Sequence, residues 1–175
     1  VCECGAGPSV LSFGKMTLVE PHPEYYRKAV EKYPAATVHN LAIVDDSRRV
    51  VALRLRGDQS HLVDIPDCPV AHRRNADSEI VEVPAATFDQ VDTGFDVVVL
   101  DMEGAEWYAL KHMTSRPVFL MVETHSSSTE YVNPYLNEIH EWMRQNDYRR
   151  LYKGISSTIW IREGSGSACP RSTAQ

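Results

Sequence analysis

Phe95-Asp96-Val97-Val98-Val99-Leu100, followed at once by Asp101-Met102-Glu103-Gly104-Ala105-Glu106, is the stretch on which the reading of the fold turns. The apolar, β-branched run reads as a strand buried on both faces, the setting of a strand inside a parallel sheet. Residues 118 to 122 repeat that pattern and end in Glu123-Thr124-His125. Between the two runs, residues 105 to 113 read as a helix. Working outward, short apolar bursts alternate with helical stretches along the whole chain, which predicts an α/β domain with a largely parallel sheet.

Upstream, residues 1 to 3 read as the tail of a strand, 9 to 13 as a short helical piece and 16 to 19 as the next buried strand. Tyr26, Ala29, Val30 and Tyr33 recur at helical spacing with Pro34 beyond them, so a helix is expected over 23 to 33. Residues 37 to 44 and 50 to 55 read as strands paired in a hairpin across Asp45-Asp46-Ser47. The segment from 57 to 78 has no period and reads as an irregular loop, after which 80 to 83 resumes the sheet. Downstream, an amphipathic helix is predicted over 133 to 145, with an antiparallel strand pair at 148 to 152 and 158 to 161. One domain is expected over 1 to 162, with a disordered tail over 163 to 175.

Composition narrows the function. The 175 residues carry a formal net charge of -6 and are 43% hydrophobic, a balance unlike that of a surface built to neutralise phosphates, so nucleic acid is not expected as a partner. No apolar run is long enough to span a bilayer. Cys2, Cys4, Cys68 and Cys169 have neither zinc-finger spacing nor the density of a disulfide scaffold, and a reducing, cytoplasmic setting is expected. Because the chain opens at Val1, without Met and already inside a motif, upstream residues completing the first strand are also expected.

Two groups of residues carry chemistry. In Glu3-Cys4-Gly5-Ala6-Gly7 a strand runs into a turn whose glycines let the backbone pass close to a ligand. A dinucleotide fingerprint would place a third glycine where Val10 stands, which disfavours a hydride carrier. Glu20 closes the next strand, where a carboxylate can accept both hydroxyls of a ribose; the alternative is a helix-start carboxylate ahead of Pro21 and Pro23. Asn40-Leu41-Ala42 ends the third strand on the same rim and lines an adenine pocket or serves as core.

The second group is Asp101, Glu123 and His125. Neighbouring strands lie about 4.8 Å apart, so these side chains converge if their two strands adjoin. A carboxylate or imidazole at that point can serve as the base that removes a proton from an attacking hydroxyl. Glu103 and Glu106 read equally as site residues or as carboxylates at a helix start. Asp101, Glu103, Glu123 and His125 could alternatively hold a magnesium-type ion that binds a diol and acidifies it.

Taken together, Glu3 to Gly7, Val19-Glu20-Pro21-His22-Pro23, Asn40-Leu41-Ala42, Ala86-Thr87-Phe88-Asp89, Leu100 to Glu106 and Val122 to His125 resemble the FkbM family of methyltransferases, over nearly all of the chain up to Ile161. The resemblance implies a Rossmann-like class I methyltransferase fold: a mostly parallel seven-stranded sheet, helices on both faces and an antiparallel C-terminal strand pair. It implies S-adenosylmethionine as cofactor, with Glu3, Gly5, Gly7, Glu20, Pro21, Asn40, Ala42 and Asp101 binding it. The implied reaction is O-methylation of a small-molecule or carbohydrate hydroxyl by Asp101, Glu123 and His125. Ser60, His61, Glu103 and His125 would contact the acceptor, the loop at Gln59-Ser60-His61 lying near the cofactor or acceptor. The competing readings are a nicotinamide-dependent oxidoreductase and a non-catalytic binding module that has kept the fold.

Overall fold

A computed structural model of the chain describes residues 1–5, 15–65, 78–125 and 132–164. The elements follow in the order β1 (Cys2–Cys4), β2 (Thr17–Val19), α1 (Pro23–Lys32), β3 (Thr37–His39), β4 (Ala42–Ile43), β5 (Val50–Arg54), β6 (His61–Leu62), β7 (Ile80–Ala86), β8 (Val97–Leu100), α2 (Glu106–His112), β9 (Phe119–Glu123), α3 (Leu136–Gln145), β10 (Tyr148–Lys153) and β11 (Ser157–Arg162). The helical piece expected at 9 to 13, the tail from 165 onward, Gly7, Val10, Cys68 and Cys169 lie outside the described residues.

Seven strands form one sheet in the order β10-β11-β9-β8-β1-β2-β3. Five of them pair in parallel, while β11 is antiparallel to both β9 and β10. From β1 the chain winds outward through β2 to β3, and then returns to the other side of β1 to lay down β8 and β9. The strand order therefore reverses between β1 and β8. In open α/β sheets a crevice for ligands forms outside the carboxyl ends of strands at such a switch point.

Alternation along β2 separates two cores. Leu18 packs with Met16 and with Ala29 of α1, whereas Val19 joins Cys4, Val98, Leu100 and Val122 in a larger cluster with Ala109 and Leu110 of α2 and Ile139 and Met143 of α3. Helices thus cover opposite faces of the sheet, α1 on one and α2 with α3 on the other. Cys2 and Cys4 are fully buried free thiols, which accords with small core residues. α1 begins where Pro23 sets the backbone for a first turn and the His22 ring nitrogen Nδ1 accepts from the Glu24 N–H (3.2 Å).

A second sheet, ordered β4-β7-β5-β6, corrects the expected pairing. The β-rich run over 37 to 44 divides into β3 and β4, which belong to different sheets, and β5 does not pair with β4: β7 lies between them, parallel to β4 and antiparallel to β5. β7 consequently serves the second sheet and not the larger one. The run breaks at Asn40, whose side-chain amide donates to the backbone oxygens of Glu20 (2.9 Å) and Pro21 (3.3 Å) and turns the chain off the larger sheet. The segment expected to be an irregular loop holds β6, paired with β5. No helix among the described residues is long and apolar enough to cross a membrane.

Candidate active site

The backbone ladder continues one residue past the ends of the central strands. Gly5 N–H donates to Val19 O (3.0 Å), Asp101 N–H to Cys4 O (3.1 Å) and Glu20 N–H to His39 O (3.0 Å). These bonds fix Gly5, Glu20 and Asp101 along one rim at the switch point. Gly5 adopts φ 82°, and a Cβ there would lie 1.6 Å from Asp101 O. Only a residue without a side chain allows β1 and β8 to converge in this way.

A cavity of about 250 Å³ opens above that crossing. Of the residues predicted for cofactor, Glu3, Gly5, Glu20, Pro21, Ala42 and Asp101 line it. Of those predicted for the acceptor, Ser60, His61 and Glu103 do so. Asn40 is not on the wall; its amide bonds the backbone beneath Glu20 and so supports the rim. Glu123 and His125 stand beside the cavity, reached through Asp101 and Glu103.

Glu20 is buried, and its Oε1 accepts from the His22 N–H at 2.6 Å. Burial outweighs that bond and pushes its carboxyl from 4.5 up to about 7. The His22 ring stacks on Tyr25 with centroids 4.4 Å apart, and both line the cavity. Sequence reasoning missed this aromatic wall. Its signal was position: the first turn of a helix that directly follows Glu20 must sit on the same rim.

On the other side of β1, carboxylate oxygens of Asp101, Glu103 and Glu123 lie within 4.8 Å of one another. Burial, then the charges of Glu123, Asp101 and Glu106, raises Glu103 to about 8. Burial and the neighbouring Asp101 likewise raise Glu123 to about 8. Three carboxylates at this spacing could share a divalent cation. Glu123 Oε1 is also 3.0 Å from His125 Nε2. Ser156 O accepts from both Thr124 N–H (2.8 Å) and His125 N–H (2.7 Å), which ends β9 and turns His125 to φ 46°.

Glu106 resolves as scaffold. Its side chain is fully buried; Oε1 accepts from Met102 N–H (2.7 Å) and Gly104 N–H (3.3 Å), and Oε2 accepts from the Asn133 amide (2.5 Å). The same Asn133 amide reaches Glu123 O (3.3 Å). Glu106 and Asn133 therefore tie the Asp101–Gly104 turn to the end of β9, which brings the two predicted halves of the acidic group together. Asn133 was not anticipated, because its partners lie 27 and 10 positions away.

Four carboxyls raised by burial have a consequence for pH. Each holds its proton more tightly in the folded chain than in the unfolded one, so their contribution is complete below 4.5 and is lost as pH rises through about 7 for Glu20 and about 8 for Glu103, Glu106 and Glu123. Thermal unfolding is expected about 5 °C lower at pH 8.5 than at pH 6. A Tm that rises over that interval would remove the crowded, buried carboxyls from the picture.

A family model described as the methyltransferase FkbM domain matches residues 3–150. No curated protein and no solved structure matches the chain.

Proposed function

Because the chain belongs to the FkbM methyltransferase family, we propose that it is an S-adenosylmethionine-dependent O-methyltransferase acting on a hydroxyl of a small-molecule or carbohydrate acceptor. One observation carries the reading: a single cavity runs from Glu20, past the bare Cα of Gly5, to Asp101 and the acidic group beyond it. A ribose held by a carboxylate, a backbone that must come close and a proton acceptor are thereby set in sequence along one rim.

The residues fit the cofactor. Any Cβ at Gly5 would strike Asp101 O, and Gly5 itself lines the cavity, where a backbone without a side chain suits a close-lying ligand. Glu20 has one oxygen held by the His22 N–H, which orients the other for ribose hydroxyls; Pro21 and Ala42 line the same end, with Asn40 fixing it from below. Glu3 and Asp101 flank Gly5 and face the remainder of the donor. The bound cofactor supplies a methyl group on a positively charged sulfur. The chain's own task is to bring the acceptor hydroxyl there and take its proton. Glu103 and His125 position the acceptor, and the Glu123–His125 pair receives the proton as the new O–C bond forms.

Isothermal titration with S-adenosylhomocysteine tests the reading, followed by turnover on pooled hydroxylated acceptors with and without added magnesium. Absence of heat at millimolar ligand sinks it, and binding without turnover leaves a non-catalytic module. The roles divide further. Glu20→Ala is expected to weaken cofactor binding about 100-fold through loss of charge-assisted hydrogen bonds. His125→Ala is expected to leave the Kd within about twofold and lower kcat by about 100-fold or more. Loss of both properties in both variants would refute the division.

A further inference from the structure

His61 is 2% exposed, yet it is one of the residues that line the cavity. Its Nδ1 lies 3.0 Å from the backbone oxygen of Gln59. A carbonyl only accepts, so Nδ1 carries the proton and Nε2 of the neutral ring is an acceptor. Among the described residues nothing donates to Nε2. An acceptor without a protein donor, on a residue of the cavity wall, can be met by a donor from whatever fills that cavity.

The position of the loop says which donor. Gly57 approaches the Tyr25 hydroxyl closely enough that a Cβ there would touch it at 3.4 Å. Tyr25 stacks on His22, whose N–H holds Glu20. The loop that carries His61 is therefore tied to the Glu20 end, while the acidic group lies beyond β1, about 10 Å across the sheet at ordinary strand spacing. Burial together with the charges of Arg54 and Arg56 keeps the imidazole neutral and disfavours a cationic ligand group beside it. A methyl donor of the adenosyl class offers ribose hydroxyls, an ammonium and the neutral amino group of its base. Glu20 takes the first, and the arginines repel the second.

We propose that His61 Nε2 accepts a hydrogen bond from the exocyclic amino group of the cofactor's adenine, making His61 the residue that reads the base. This rests on the methyl-donor reading above and assigns His61 to the cofactor side of the site. The test is calorimetric binding of S-adenosylhomocysteine and S-inosylhomocysteine, which differ in carrying an amino group or an oxygen at the purine 6-position. An oxygen there opposes one acceptor to another. The wild-type protein is expected to bind the inosyl ligand about 30-fold more weakly, and His61→Phe to reduce that ratio to within about threefold. Equal wild-type affinities, or an undiminished ratio in His61→Phe, overturn the assignment while leaving the methyl-donor reading standing. Binding of neither ligand by the wild type overturns both. Should His61→Phe fail to fold, the wild-type ratio and His61→Leu decide the matter on the same criteria.

Discussion

Gly5→Ala is expected to leave little folded protein. At φ 82° an L side chain is strained, and its Cβ would stand 1.6 Å from the backbone oxygen of Asp101. Neither strand can yield: Gly5 N–H is bonded to Val19 O and Asp101 N–H to Cys4 O. Separating β1 from β8 at their ends disturbs the middle of the sheet, and the loss is expected to exceed about 4 kcal/mol, a large share of the stability of an ordinary domain. Gly94 provides the control. Its φ of 83° is nearly the same, but nothing lies within 4 Å of a Cβ built there, so Gly94→Ala should lose only the conformational part, about 1 kcal/mol. Urea unfolding midpoints of the two variants decide it, and a wild-type midpoint for Gly5→Ala is incompatible with this approach of strands.

Glu106→Ala ranks second, with an expected loss of about 3–5 kcal/mol in urea unfolding. The substitution strips partners from the Met102 and Gly104 amides and from the Asn133 side chain, and it opens a hole in a fully buried place. Glu106→Gln preserves the volume. Its amide nitrogen, however, must face another donor, whether Asn133 or the loop N–H groups, so it should fall between the wild type and Glu106→Ala. A cost below about 1 kcal/mol for the alanine variant would mean that the turn is held by something else.

The larger sheet was readable because its inner strands, β8 and β9, are apolar runs. β8 is buried along nearly its whole length as expected, whereas in β9 Leu120 and Val122 are buried but Phe119 on the opposite face is exposed. The antiparallel end was readable for a similar reason, since β10 and β11 close the chain with no helical stretch between them. The second sheet was not. Alternation identifies a strand without naming its partner, and the insertion of β7 between β4 and β5 depends on contacts 26 to 43 positions apart. A two-residue strand such as β6 is too short to show any period.

The site divides along the same line. Glu20 and Asp101 follow buried strands directly, and the carboxyl edge of an α/β sheet is where ligands gather, so their placement followed from the order of the chain. The part played by Asn40 did not, because an amide that supports backbone 19 and 20 positions away leaves no local trace. Glu106 was ambiguous for a physical reason: a carboxylate in a first turn satisfies the helix dipole whether or not it also ties down a loop. Its burial against Asn133 is what separates the two roles.

Glu103 and His125 sit at φ 51° and 46°, in the left-handed region where most L residues lose about 1 kcal/mol and glycine loses nothing. The only other described non-glycine residue with positive φ is Asp147, in a turn remote from the cavity, of a type that tolerates such a backbone. Tension is thus stored at both lips of the acidic group. A lineage relieved of its reaction would profit from glycine at either place, gaining robustness as it lost two polar side chains. In this chain both side chains are still there, and so is the tension that comes with them.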